Sequence, residues 1–445
     1  MDEAIVTTDS ELTNDEAVVV SPINRVRGEL RVPGDKSISH RAAMLSSLAH
    51  GESVIKNFSS AQDCAATIKC LQALGARIVQ NDSSVLIEGA GSSGLQQPAQ
   101  SLNAQNSGTT MRLLTGILAG QPFATTITGD DSLRSRPMLR VAEPLRLMGA
   151  KVEVDSNGCA PLRIMGRRPL KAIRYKMPIA SAQIKSAVLL AGLAADGITT
   201  VEEQTQTRDH TERMLPAFGV SIGRNGNAYS IQGGLPLHAC DVFIPGDISS
   251  AAYFVAAAVV LPGSDLFIQD VGLNPTRTGF LSALRALGAD IDLVDERFEG
   301  GEPVGTLHVR SRASKEHRTL EVSGASISSL IDELPLLGFV AASIGCEMKL
   351  SDAKELRVKE SDRIAATVEN LSRMGARIEE HLDGWHLHGD SKLHGAHLSS
   401  FGDHRIAMAT AVAAVGVAEP SRIEGARSVA VSLPEFWSLL HSVAE

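Results

Sequence analysis

The sequence predicts an α/β protein of two similar domains, with apolar helices inside and sheets outside. Three observations carry this reading. A helix closed by glycine and followed by a hairpin recurs five times, six apolar helices share a polar start, and the length past residue 16 fits six units of about 70 residues.

Taken in order, residues 1–16 are acidic and poor in apolar periodicity, and are expected to be a frayed or disordered tail. The first repeat reads Leu71-x-x-Leu74-Gly75-Ala76-Arg77-Ile78, followed by a polar turn and an alternating strand ending Ile87-Glu88-Gly89. Related segments end at Gly149-Ala150, Gly219-Val220, Gly288-Ala289 and Gly375-Ala376, at separations of 74, 70, 69 and 87 residues. Each predicts a helix with glycine at its C-cap and a two-stranded hairpin beyond it. A sixth unit has to be assembled from both ends of the chain. Val18–Val32 supplies strand-like sequence, and Gly402 onward supplies helix.

The second recurring element spans Ser37–Ala49, Ser107–Ala119, Ser181–Ala194, Ser249–Val260, Asp332–Ala342 and Asp403–Val415. Helices carrying Ala, Leu and Val on most faces are buried rather than amphipathic. Their polar N-terminal ends need partners for unsatisfied N–H groups, and if they converge on one cleft they make an anion site.

Composition narrows the function. Asp and Glu number 51 against 42 Lys and Arg, a net charge of −9, which argues against a uniformly basic nucleic-acid binder. Apolar runs such as Ala251–Pro262 fall short of the roughly 20 residues needed to cross a bilayer. Met1-Asp2-Glu3 lacks the basic and apolar regions of a signal peptide, so a soluble, cytoplasmic protein with no membrane partner is expected. The five cysteines form no CxxC pair and are expected to be buried free thiols.

Charges cluster where an anion would need them. Lys36 opens an apolar helix at the end unfavourable for a cation, and Arg41 lies on the same face as Ser37. Asp403-His404-Arg405 repeats that arrangement. In Arg357-Val-Lys359-Glu360-Ser-Asp362-Arg363, the i,i+4 pair Lys359 and Arg363 is either an anion clamp or part of an exposed, salt-bridged helix. Asn106-Ser107-Gly108-Thr109-Thr110 suits close backbone approach to a ligand, without the spacing of a nucleotide P-loop. Asp332 is either a helix N-cap or a general base. His386 and His388 share one side of a strand, but no third metal ligand has convincing spacing, so satisfied or exposed histidines are expected.

These segments, in this order, resemble the EPSP synthase family of enolpyruvyl transferases. The resemblance runs from about Ser21 to the C-terminus. It rests on Gly34-Asp-Lys-Ser-Ile-Ser-His-Arg41, Asn106-Ser-Gly-Thr-Thr-Met-Arg112, Ser135-Arg-Pro137, Ser181-Ala-Gln183, Thr207-Arg-Asp-His210, Ile331-Asp-Glu333, Leu356-Arg-Val-Lys-Glu-Ser-Asp-Arg363 and Asp403-His-Arg405. It implies two domains of three βαβαββ repeats each, an inside-out α/β barrel, at 34–245 and at 17–33 plus 246–445, closing on substrate. The implied reaction adds the 5-hydroxyl of shikimate 3-phosphate to C2 of phosphoenolpyruvate, then eliminates phosphate. No cofactor and no metal is implied, the partners are these small molecules, and a monomer is expected.

By the same resemblance, Lys36, Arg136, Lys359, Arg363, His404 and Arg405 hold phosphoenolpyruvate, helped by Asn106, Gly108, Gln183 and Glu360. Lys36, Ser37, Arg41, Ser181, Ala182, Gln183, Arg208, Asp332 and Lys359 hold shikimate 3-phosphate. Asp332 is expected as base toward the 5-hydroxyl and Glu360 as acid at C3. Lys36 shares either role, with neighbouring cations expected to depress its pKa. Ala182 stands where many relatives have a second Ser, and Val431 where many have Lys. With Arg208 in Thr-Arg-Asp-His, these place the chain in the family's second sequence class, some of whose members tolerate the phosphoenolpyruvate mimic glyphosate, an expected competitor. Gly108 leaves room that a bulkier residue fills in a tolerant enzyme. The alternatives are a UDP-N-acetylglucosamine enolpyruvyl transferase, whose usual Cys is missing from Asp130–Arg136, a non-catalytic anion-binding relative, and an RNA-end-processing protein. The acidic balance and four percent aromatics oppose the last.

Overall fold

The computed structural model describes residues 6–8, 17–91, 94–311 and 319–445. All five signature glycines take positive φ, between +85° and +96°. In each copy the next residue's N–H reaches back to the leucine carbonyl five positions earlier. These bonds run from Ala76 to Leu71 (3.0 Å), Ala150 to Leu145 (3.1 Å), Val220 to Leu215 (3.1 Å), Ala289 to Leu284 (2.9 Å) and Ala376 to Leu371 (2.9 Å). This is the six-to-one bond of a Schellman cap, which needs a left-handed residue that glycine adopts without strain. The recurring Leu-x-x-x-Gly pattern is therefore a recurring helix stop.

Each stop feeds a hairpin, and each hairpin completes a four-stranded sheet. In one sheet, Thr319–Val322 runs parallel to Glu347–Leu350. That strand pairs antiparallel with Gly384–Leu387, which pairs antiparallel with Ile378–His381. Among the described residues, six sheets share this order. Between the first and second strands runs a buried helix, here Leu334–Ser343, and between the second and third a glycine-stopped one, here Arg363–Arg373. The unit is thus β-α-β-α-β-β.

The sixth sheet is built from both ends of the chain. His397–Ser399 runs parallel to Ser421–Glu424, which pairs antiparallel with Val18–Val20. Val6–Thr8 pairs in turn with Val18–Val20, which corrects the expectation of a wholly frayed tail. Val-Thr-Thr is β-branched throughout and adds an edge strand to a ready template. The rest of 1–16 lies outside the described residues.

The chain divides into two compact units. One comprises Gly34–Pro245 with Phe298–Glu302, the other Met1–Pro33, Gly246–Arg297 and Pro303–Glu445. Residues 298–302 depart from the boundary expected at 246. His210 Nδ1 lies 2.7 Å from the Glu302 carboxylate and Arg213 donates to the Gly301 carbonyl at 3.2 Å, which ties this turn to the first unit. At each crossover the last strand before it stays with its own unit. Arg27–Arg31, just before the first unit, pairs with Asp265–Gly272 of the second. Val242–Phe243, just before the second, pairs with His50–Lys56 of the first.

The six inner helices are Lys36–Leu48, Gly108–Ala119, Ala182–Gly192, Ile248–Val260, Leu334–Ser343 and His404–Val415, and nearly all their residues are buried. Asp35, Ser107, Ser181, Asp247 and Asp403 cap five of them through side-chain oxygens. The five cysteines are free, but Cys159 and Cys240 are only half-buried. Among the described residues, no single helix is long and apolar enough to cross a membrane.

Candidate active site

In the second unit the inner-helix starts gather charge around one carboxylate. Asp332 Oδ1 lies 3.4 Å from Arg363 Nη1 and 3.9 Å from Lys359 Nζ, and Oδ2 lies 3.5 Å from Arg405 Nη2. Arg405 also donates to the Asp332 carbonyl at 3.1 Å. The N-cap reading of Asp332 is thereby corrected. Glu333 occupies the cap position and makes no side-chain cap bond, and Pro335 in the first turn has no N–H to offer one.

The i,i+4 helical pairing of Lys359 with Arg363 is also corrected. The helix begins at Arg363 with Asp362 as its cap, and Lys359 precedes it in extended backbone. The two cations meet at Asp332 instead. Nor is this segment a solvated face: Arg363 is 1% exposed and pairs with Glu360 at 2.6 Å and Asp403 at 2.7 Å. Asp362 takes a different partner, Arg357, at 2.7 Å.

A supporting layer went unread in the sequence. Glu333, buried, accepts from Arg405 at 3.2 Å and from the Ser249 hydroxyl. Arg277 donates to Ser249 at 2.7 Å and pairs with Asp247 at 3.3 Å. His404 is buried at the first position of its helix, beside Asp403. Burial lowers the Lys359 ammonium below its ordinary pKa, and Arg363 adds to the effect while Asp332 opposes it. Burial also works against the charge of Arg405, but Asp332, Glu333 and Asp247 outweigh it and hold the guanidinium ionised.

The first unit carries the other predicted residues. Arg41, buried, donates to the Ser37 carbonyl (2.8 Å), the Ser186 hydroxyl (2.8 Å) and the Thr211 hydroxyl (2.7 Å). Burial pulls its pKa down to about 10, which leaves it charged at neutral pH. Arg208 is half-buried and near enough to Arg41 for like-charge repulsion to contribute to that fall. Lys36 pairs with Asp63 at 3.1 Å. Asp63 sits in the first turn of Gln62–Ala73, the end of a helix that favours an anion, so the surroundings of Lys36 are not purely cationic as expected.

Arg136 donates to the Asn106 side-chain oxygen at 2.7 Å, and Asn106 in turn donates to Asp130 at 2.7 Å. Gln183 is held from both sides. Arg112 donates to its Oε1 at 2.7 Å, and its Nε2 donates to the Thr109 hydroxyl at 3.0 Å. A Cβ at Gly108 would stand 2.7 Å from Arg112 Nη1 and 3.5 Å from Arg136 Nη1. Ser181 caps the helix that Ala182 begins.

Beneath this layer, fully buried Lys185 pairs with Glu203 at 3.1 Å and Glu212 at 2.8 Å, and its Nζ lies 4.6 Å from the Tyr229 ring centre. A lone Lys in the otherwise uncharged Ile184–Ala191 run was the available signal, since burying an unpaired ammonium is prohibitive. His40 is buried with Nδ1 2.6 Å from Thr67 Oγ1; burial first, then Lys36 and Arg41, keep its pKa low and the ring neutral. Cys159 Sγ donates to the Ser135 carbonyl at 3.4 Å, the thiol lying against the Asp130–Arg136 loop, but desolvation and Asp155 raise its pKa away from a reactive thiolate.

Six β-α-β-α-β-β units, three to a domain, with capped apolar helices bearing paired Arg, Lys and carboxylate groups, define the enolpyruvyl transferase class. A solved structure of the enolpyruvyl transferase NikO from Streptomyces tendae matches at a TM-score of 0.78 and 16% identity, over 97% of this chain and 98% of that one, which speaks for the fold alone. An EPSP synthase structure from Acinetobacter baumannii matches at a TM-score of 0.86 and 40% identity, again over 97% and 98%. The family model for EPSP synthase (3-phosphoshikimate 1-carboxyvinyltransferase) matches residues 20–440. Relatives named 3-phosphoshikimate 1-carboxyvinyltransferase are 47% identical in Bacillus licheniformis and 50% identical in Desulforudis audaxviator, each over 95% of this chain and 98% of the relative. The chain belongs to the EPSP synthase family, and it is an enzyme.

Proposed function

We propose that this enzyme transfers the enolpyruvyl group of phosphoenolpyruvate to the 5-hydroxyl of shikimate 3-phosphate, giving the enolpyruvyl ether and inorganic phosphate. The observation that carries the reading is Asp332, a carboxylate held among Lys359, Arg363 and Arg405 in a chain whose family match spans nearly its whole length.

Both substrates carry a phosphate and a carboxylate, and Lys36, Arg41, Arg136, Lys359, Arg363 and Arg405 each already have a carboxylate or hydroxyl partner that fixes their direction. Preset donors of this kind cost little reorganisation when an anion arrives. Lys36, Arg136, Lys359, Arg363, His404 and Arg405 take phosphoenolpyruvate, with Asn106, Gly108 and Gln183 shaping its seat. Ser37, Arg41, Ser181, Ala182, Gln183 and Arg208 take shikimate 3-phosphate, and Arg41 and Arg208 together supply two guanidinium forks for its phosphate.

Asp332 accepts the proton of the 5-hydroxyl as its oxygen attacks C2, while C3 is protonated from Glu360. The tetrahedral intermediate then loses phosphate, which takes up the proton held by Asp332, while one C3 proton goes back to Glu360. Arg363, 2.6 Å from Glu360, favours the carboxylate form, so Glu360 carries a proton only transiently, which suits a group that donates and then retrieves it. Glyphosate competes with phosphoenolpyruvate, and the protein works as a cytoplasmic monomer.

The UDP-N-acetylglucosamine reading is not favoured, since the loop at Asp130–Arg136 has no Cys and the nearby Cys159 thiol is held protonated. Phosphate release measured with both substrates, with each omitted, and with a chelator tests the proposal. Release that needs both and survives the chelator supports it. Release only when UDP-N-acetylglucosamine replaces shikimate 3-phosphate overturns the acceptor assignment.

A further inference from the structure

Histidines at alternate positions of a strand project from one face, and the sheet that runs from Thr319–Val322 to Gly384–Leu387 carries such a pair. His386 lies in the strand Gly384–Leu387 and His388 just past its end, with ring centres 4.2 Å apart. The third group, not legible from spacing alone, comes from the neighbouring strand. The register places Glu379 directly opposite His386, and Glu379 Oε1 lies 3.1 Å from His388 Nε2. One nitrogen of each ring and a Glu379 oxygen lie within 4.8 Å of one another. On the other side, Glu347 Oε1 lies 2.8 Å from His386 Nε2.

We propose that Glu379, His386 and His388 bind one divalent cation of the borderline class, with Zn2+ as its reference member. Two imidazoles and a carboxylate suit zinc, copper or nickel rather than calcium or magnesium, which take oxygen ligands. A tetrahedral ion about 2.0–2.2 Å from each ligand needs ligand atoms about 3.3–3.6 Å apart. The Glu379–His388 separation is already close to this, and small side-chain rotations bring in His386. Both rings are about one-fifth exposed, so the ion enters from solvent without opening the fold. Glu347 either completes the shell or orients His386 from behind. None of these residues belongs to the substrate sets proposed above, so the site is structural, pinning one hairpin strand to the other.

The test is calorimetric titration of untagged, chelator-treated full-length protein with ZnCl2, and separately with MgCl2. One zinc per chain at micromolar affinity is expected, with no comparable magnesium binding. His386→Gln and His388→Gln should each weaken zinc by at least about tenfold. Both variants should keep the enolpyruvyl transfer rate of the parent, which also shows that they fold. The zinc readout stands whether or not the substrate assignment does. No zinc heat up to millimolar concentration, unchanged zinc affinity in the double variant, or equal binding of magnesium would each overturn the proposal.

Discussion

Arg363 donates from Nε to Asp403 Oδ2 at 2.7 Å, and the two side chains are 1% and 0% exposed. The same carboxylate caps the His404–Val415 helix by accepting from the Arg405 N–H at 2.9 Å. Burial pushes the Asp403 pKa up, but the charge of Arg363, with His404, outweighs both burial and the repulsion of Glu360 and leaves it below the ordinary Asp value. In the unfolded chain this carboxyl has a pKa of about 3.9 and so binds its proton at higher pH than in the folded protein. Its contribution to stability is therefore complete above about pH 4–5 and is lost as pH falls through the folded value. Asp403→Asn keeps a capping oxygen but leaves Arg363 short of its counter-charge, and should cost about 3–5 kcal/mol in urea unfolding at pH 7. Its stability should also fall less steeply below pH 4 than that of the parent. Equal acid limbs in the two proteins would remove Asp403 as the acid-sensitive group.

Asp332→Asn should lower kcat by about 10²–10⁴ while calorimetric binding of shikimate 3-phosphate persists, since a general base is lost but its neighbours remain. Glu360→Gln should behave likewise. If binding disappears together with turnover in both variants, their role is to hold substrate and not to move protons.

Gly108→Ala should act through Arg112. The new methyl stands 2.7 Å from Arg112 Nη1, whose guanidinium must swing away and release Gln183. A lost charge-assisted hydrogen bond costs about 1.5–3 kcal/mol, so KM for at least one substrate should rise roughly tenfold or more. Steady-state kinetics with unchanged KM values would show that Gln183 keeps its place without Arg112.

Lys185→Met should be strongly destabilising, by about 3–5 kcal/mol in urea titration, because Glu203 and Glu212 are left buried without their cation. Desolvation already raises the Glu212 pKa, against the pull of Lys185. Without Lys185 it rises further, so a protonated Glu212 favours the folded state and the variant should regain stability as pH falls from 7 toward 5. Adding Glu212→Gln should restore part of the loss at pH 7.

The repeat was legible because its stop signal is local: Leu-x-x-x-Gly fixes a cap whose bonds span five residues. The exact long-range pairing was not: the family resemblance assigns 17–33 to the second domain, but nothing in Arg27–Arg31 itself singles out Asp265–Gly272 among that domain's strands. Among the site residues, those in dense charge motifs, such as Lys359 and Arg363, could be picked out. Their geometry could not, because Lys359 reaches Asp332 only after the helix start at Arg363 is fixed by Asp362. Lys185, Glu333 and Arg277 were passed over because each looks ordinary until its buried counter-charge, 18 to 72 residues away, is known. Glu379 escaped for the same reason, its proximity to His386 and His388 being set by hairpin register.

The pairing of Arg27–Arg31 with Asp265–Gly272 sets a timetable for synthesis. Val26 and its partner Ser264 are 238 residues apart, with the whole of Gly34–Pro245 between them. At about 5–20 residues per second, the ribosome needs roughly 10–50 s to deliver Asp265–Gly272 after Arg27–Arg31 has emerged. The intervening unit receives its own last strand, Val242–Phe243, before that wait ends. It can therefore close while Arg27–Arg31 still waits for its partner on the nascent chain.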